Sequence, residues 1–419
     1  MKNTLLYLYR FLFLLLPFSA FCQAASQTSG LSAISKGKLL KVPAQYATIS
    51  EAVQQANNGD TIILSPGNYT AKDIRINKAI VISSEWRLTG NQSAIDKTCI
   101  NADKGTLFKI YVEGVEISGL KVMDGKHSIV AYAKTKIIYN HIVNDQTDGI
   151  SLESGSGGYV AYNLIENSGD DGIDIDIGEN PKNIGSDVVV EHNTIVNSHD
   201  DGMEIRLYNS LRQNIQYEIR SNIFLGSGND GIQLISYDVH TGKVFNIHHN
   251  IFKGCNAAIG CMEGANTVEN LNGASKMDEW VYFYNNTIVE NKIAATGGNN
   301  MVAVNNVVYN NVLGGFKRFG KNSVISNNLF FNNNNTDFIE AHSSVIKNKN
   351  LFQRDPLLDK GTFTPGKGSP CVNSGVKRYV FKGETLFNIS ANAFSGPAPN
   401  LGAVEAGNKY PGTTLIKEE

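Results

Sequence analysis

The 419-residue chain has no excess of charge of either sign, since Lys+Arg 37 stands against Asp+Glu 39 for a formal net charge of −2. That balance excludes a generally basic nucleic-acid binder. Cysteine is scarce, at five residues. Cys99, Cys255, Cys261 and Cys371 are spaced unlike any zinc motif, and no disulfide pairing can be read from them. Beyond the N-terminal segment no stretch reaches the ~18 apolar residues that a membrane helix needs. Charged residues make up 18% and hydrophobic ones 42%, a globular composition.

Glycine and asparagine, by contrast, are abundant at 40 and 48 residues, which implies many turns. Residues 1–25 carry Lys2 and Arg10, an apolar run over 11–18, then Ser19, Ala20, Ala24 and Ala25. This is the pattern of a secretory signal peptide, so export to a periplasm or the medium is expected. Residues 26–42 read as a linker, 43–405 as one repeat domain and 406–419 as a tail.

The repeat is Asn followed two residues later by Ile, Val or Phe, starting at Asn140, Asn163, Asn193, Asn222, Asn250, Asn286, Asn306, Asn328 and Asn350. The basic unit is about 22 residues, with longer units only in the middle of the series. Each unit holds short alternating apolar runs between Gly, Asn and Asp, which predicts strands and tight turns. An all-strand coil of that length is the rung of a single-stranded parallel β-helix. The repeated Asn is then a structural row that stacks along the axis and satisfies turn backbone groups.

The longer units predict insertions near 177–187, 207–216, 237–243 and 262–279, all at one corner, where they would wall a binding face. The same rungs are acidic. Between residues 145 and 235 there are 16 Asp+Glu and four Lys+Arg, a local net of −12. Strand alternation turns Ile173 and Ile175 inward and Asp174 and Asp176 outward, with Glu204 stacked on Asp174 at about 4.8 Å. Asp148, Asp171, Asp201 and Asp230 form a second column. Carboxylates that close require raised pKa values or a cation, and oxygen-only ligands select Ca²⁺.

The stretch YATISEAVQQANNGDTIILSPGNY, with a short capping helix, and the stretches DPLLDKGTFTPGKGSPCVNSG and PNLGAVE resemble the opening and closing segments of right-handed parallel β-helix proteins of the pectin-lyase-like superfamily. The resemblance covers roughly 43–405 and implies an all-β solenoid with an N-terminal capping helix. Asp170-Asp171-Gly172-Ile173-Asp174, with Asp148 one rung earlier, is similar to the calcium-binding carboxylates of polysaccharide lyase family nine pectate lyases. Asp148, Asp170, Asp171, Asp174, Asp176, Asp201 and Glu204 are therefore the candidate metal ligands.

In that family a Lys two residues after the glycine of a following rung is the base, whereas here Glu204 and Gln233 stand at those positions. Arg206 is the first candidate to replace it and Lys243 the second, although Arg206 has an ordinary alternative as a salt-bridge partner of Asp176. The implied chemistry is calcium-dependent β-elimination on an acidic, uronic-acid polysaccharide. Alternatives are a hydrolase of polygalacturonase type, for which the Gly-His-Gly and Arg-Ile-Lys motifs are missing, a uronan C5-epimerase, or a non-catalytic carbohydrate-binding β-helix. Tyr208, Tyr237 and Trp280 could stack on sugars, but loop aromatics more often pack locally.

Overall fold

The computed structural model describes residues 37–154, 156–176, 187–207, 215–237, 242–263, 277–334 and 336–405. The expected signal peptide, the tail and most of the four expected insertions, Tyr208 included, lie outside the described residues.

Successive strands of a coil enter three different sheets. Gly158–Ala161 joins a sheet of 13 described strands, Leu164–Glu166 one of 12, and Ile173–Asp176 one of 11. Every strand in these sheets pairs in parallel with its equivalents in the neighbouring coils, as in Ile150↔Ile173↔Met203↔Ile232. This is the parallel β-helix that the repeat predicts.

The abundance of Asn has two causes. The chain turns from the 13-stranded into the 12-stranded sheet through one left-handed residue, with φ 59° at Tyr162, 57° at His192 and 61° at Asn305. Asn and Gly tolerate that conformation best. The next residue is the repeated Asn, and all nine form one ladder. Each Nδ2 donates to Oδ1 of the next Asn at 2.9–3.1 Å. The same Oδ1 accepts the backbone N–H of the preceding rung's Asn at 2.9–3.0 Å. The amides are thus buried with their bonds made, and leaving one unmade would cost more than each bond contributes.

Inside, like stacks on like. Ile173, Ile175, Met203 and Ile205 are buried in one core with Phe224 and Phe252, whose rings stack at 4.9 Å. Gly172 is required by this close packing, because a Cβ there would lie 2.5 Å from Cγ2 of Ile195. At the N-terminal end the helix Ile49–Gln55 buries Ile49, Ala52 and Val53, and Thr48 caps it by accepting the N–H of Glu51. The first strand, Leu39–Val42, lies inside the stretch expected to be linker, because it pairs with Thr61–Leu64 and so opens the 13-stranded sheet.

After the last rung the chain returns along the flank. The antiparallel hairpin Arg378–Phe381 with Glu384–Asn388 covers Val302, Val304 and Val324. Trp280 belongs to this contact, stacked at 5.9 Å on Tyr282, so it packs locally. No disulfide joins the four cysteines among the described residues.

Candidate functional site

The acidic residues lie on the 11-stranded sheet and the turn that leads into it. Register pairs Asp174 with Glu204 and Asp176 with Arg206, as alternation from the inward Ile173 and Ile175 requires. Outward does not mean solvated here: Asp174 is 4% exposed and Glu204 1%. Arg206 is the local counter-charge. Its Nη1 lies 3.5 Å from Asp176 Oδ1 and 3.6 Å from Asp174 Oδ1, and its Nη2 contacts Glu204 Oε1. Burial alone would depress the guanidinium, but the carboxylates of Asp174, Glu204 and Asp176 together push its pKa upward. Arg206 stays a cation in this setting, which suits charge neutralisation better than proton acceptance.

The turn column is built differently from an array of open ligands. Asp171 N–H donates to Asp148 Oδ1 at 3.3 Å, Asp201 N–H to Asp171 Oδ1 at 2.9 Å, and Asp230 N–H to Asp201 Oδ1 at 2.7 Å. One oxygen of each carboxylate thus does for this corner what Asn does at the other, so the column has a structural task as well. The second oxygen of Asp201 is buried without a hydrogen-bond partner, as is Oδ1 of Asp174.

Burial, followed by mutual repulsion, raises the pKa of Asp171, Asp174 and Asp201 well above the ordinary carboxylate value. Asp170 and Asp200 are raised for the same two reasons in the same order. Asp176 is raised by burial against the pull of Arg206, and Glu204 is pushed up to about 7, again by burial against Arg206.

These side chains converge. Carboxylate oxygens lie within 4.8 Å of one another in four overlapping sets: Asp148/Asp170/Asp171, Asp171/Asp200/Asp201, Asp171/Asp174/Glu204 and Glu153/Asp174/Asp176. The last two share their carboxylates with Arg206, which already supplies a positive charge. The first two make no ion pair with it and fit a hard divalent cation best.

Lys243 sits apart from this arrangement. It immediately precedes the strand Val244–His248 of the 13-stranded sheet, in phase with the core residues Phe245 and Ile247, and is 1% exposed. Burial pushes its pKa down to about 8 against the attraction of Glu279.

Four participants escaped the sequence reading. Asp200 and Glu153 complete two of the carboxylate sets. Asp145, whose Oδ1 accepts the N–H of Gly125 at 2.9 Å, is pushed up to about 7 by burial. The fourth is His127, whose Nδ1 lies 3.3 Å from Asp148 Oδ2. It stands two residues before Ile129 as Asp148 stands two before Ile150, and these two isoleucines are register partners, so it heads the aspartate column.

A family model described as "Right handed beta helix region" matches residues 107–273. A solved pectate lyase, Pel9A, superposes with a TM-score of 0.51 at 15% identity, covering 89% of this chain and 98% of its own. The chain is a right-handed parallel β-helix of the pectin-lyase-like fold. A family PL6 alginate lyase, AlyGC, gives a TM-score of 0.49 at 14% identity over 90% of this chain and 57% of its own. A family 28 exopolygalacturonase from Yersinia enterocolitica gives 0.42 at 10% over 76% and 78%. No curated protein matches this β-helix in sequence. None of its described helices is long and apolar enough to cross a membrane.

Proposed function

We propose that the protein is an exported, calcium-dependent polysaccharide lyase that cleaves a pectate-like uronic-acid polymer by β-elimination. The observation that carries this reading is the convergence of Asp148, Asp170 and Asp171 carboxylate oxygens within 4.8 Å, beside a guanidinium on the same face. Fold likeness to Pel9A is compatible with it but does not carry it.

Asp148, Asp170 and Asp171 would hold the ion, with Asp200 and Asp201 adjoining. The buried second oxygen of Asp201, which has no hydrogen-bond partner, favours added positive charge, since desolvated anions are costly alone. When bound, Ca²⁺ supplies the positive field that draws a sugar carboxylate to an otherwise acidic face and acidifies its C5 proton. Arg206, 23% exposed in its side chain, has the position to pair with that carboxylate. Of the two candidate proton acceptors, Arg206 has the place and Lys243, at about 8, has the pKa.

The test is ultraviolet absorbance of the unsaturated uronate product on pectate, alginate and glycosaminoglycans, with Ca²⁺ or with a chelator. Absorbance that the chelator abolishes supports the lyase. New reducing ends without absorbance would instead favour hydrolysis by the raised carboxyls Asp170 and Asp200. Mass measurement of the exported protein tests cleavage near residue 25.

A further inference from the structure

The 11-stranded sheet carries a second feature, on the N-terminal side of the acidic cluster. Strand Ile74–Ile76 pairs with Phe108–Ile110, which pairs with Ile129–Ala131 and then with Ile150–Leu152. The residue after each of the last three strands is Tyr111, Tyr132 and Glu153. The N–H of Tyr132 donates to Ile110 O and that of Glu153 to Ala131 O, both at 2.8 Å, so the three stack one per rung. The tyrosine rings are parallel within 7° at 5.0 Å, and the guanidinium of Arg75 lies 4.3 Å from the Tyr111 centroid. Glu153 then meets Asp174 and Asp176 within 4.8 Å. A continuous strip therefore runs from Arg75 to Arg206 along the solenoid axis.

Three properties set this strip apart from a purely structural ladder. Neither phenol hydroxyl has a hydrogen-bond partner among the described residues, although both side chains are half-buried. Arg75 is exposed and has no ion pair among the described residues, whereas its neighbour Lys109 is neutralised by Asp73 at 2.7 Å. The strip also ends at the candidate centre, while the stack of Tyr139, Tyr162 and His192 lies at the asparagine corner.

We propose that Arg75, Tyr111 and Tyr132 form a subsite for an acidic polysaccharide, binding sugar units of a chain that continues from the acidic centre along the rungs. This deepens the functional reading above and rests on it for the identity of the chain. Rungs advance by about 4.8 Å, comparable to the length of one sugar residue, so successive units of an axial chain meet successive rungs. The phenols offer hydroxyl donors to ring and carboxylate oxygens, and Arg75 offers a fork of donors for a carboxylate. Positive charge then lies at both ends of the strip, Arg75 at one and Arg206 with the cation at the other.

The experiment measures binding of oligogalacturonates and alginate oligomers of graded length in Ca²⁺, by calorimetry, for the full chain and for Arg75→Gln and Tyr111→Phe/Tyr132→Phe. The Phe variants keep the stacked rings, and unchanged thermal unfolding verifies folding. Each variant is expected to weaken long oligomers about tenfold while leaving di- and trimers unchanged. Equal affinity of variant and parent at every length would overturn the subsite and leave the lyase reading standing. Arg75-dependent binding without cleavage of any uronan would support the subsite and sink the lyase. Failure of the parent to bind acidic oligomers, or equal binding of neutral ones, would overturn the subsite as well.

Discussion

The backbone N–H of Asp230 donates to Asp201 Oδ1 at 2.7 Å while the second oxygen of Asp201 is buried without a hydrogen-bond partner. One carboxylate thus does an asparagine's work with half of itself and carries a desolvated charge with the other half. Asp201→Asn keeps the acceptor for the Asp230 amide and removes the charge. In chelator it is expected to melt higher than the parent at high pH, by a margin that narrows as the pH falls and the raised Asp201 carboxyl takes up its proton. Scanning calorimetry decides it, and a lower melting point at high pH would contradict the assignment of buried charge.

The pH dependence of stability has a defined sign. Asp145 and Glu204 are both pushed up to about 7 in the folded chain, chiefly by burial, from ordinary values near 4. The folded state therefore holds these protons more tightly than the unfolded state, so their contribution is complete below about pH 4 and is lost as the pH rises through about 7. In chelator the melting temperature is expected to fall between pH 4.5 and 7.5. Added Ca²⁺ should restore more at the upper end than at the lower. A melting temperature that climbed across this window without metal would refute the raised values.

The asparagine ladder should be costly to break. Asn222→Ala removes the acceptor of two donors from Asn193, takes the side-chain donor from Val190 O, and leaves Asn250 Oδ1 with only the backbone N–H of residue 222. A loss of about 3 kcal/mol is expected in urea denaturation, since buried groups left unpaired cost more than a bond contributes. Hydrogen exchange should open first in the coils of Asn193 and Asn250, because solenoid rungs are stabilised by their neighbours.

The scaffold was legible because one residue type marks one corner of every coil, and all nine asparagines named from the sequence fall into the ladder. The pairing of Asp174 with Glu204 and of Asp176 with Arg206 followed from the same alignment. His127 was missed because its coil breaks the rule. Leu120 occupies the ladder position there, donating its N–H to Asn140 Oδ1, and the strand begins nine residues later instead of ten. The structural half of the aspartate column was illegible for another reason: Asp and Asn accept a backbone N–H equally well, so composition cannot separate a ligand from a ladder.

Arg206→Gln separates the two kinds of charge compensation. It leaves Asp174, Asp176 and Glu204 without their cation, which should destabilise the chelated protein by about 2 kcal/mol at pH 7.5, below the cost for a fully buried pair because Arg206 is 23% exposed. Ca²⁺ affinity should rise, since a fixed guanidinium on the same face no longer repels the ion, while turnover on the cleaved uronan falls at least 100-fold. Unchanged turnover would remove Arg206 from the chemistry and leave it the structural counter-charge of Asp174, Asp176 and Glu204.

Proton acceptance can be read from the pH profile of kcat/KM. If Lys243 takes the C5 proton, activity should rise as the pH passes about 8, where its amine becomes neutral, and Lys243→Met should abolish that limb while leaving Ca²⁺ affinity intact. Its burial beside Glu279 makes a folding control necessary, and Lys243→Met with Glu279→Gln supplies one by removing both charges together. A limb near 7 that disappears in Glu204→Gln would hand the step to the carboxylate touching Arg206, because a buried acid at that pKa is half ionised where the enzyme would work.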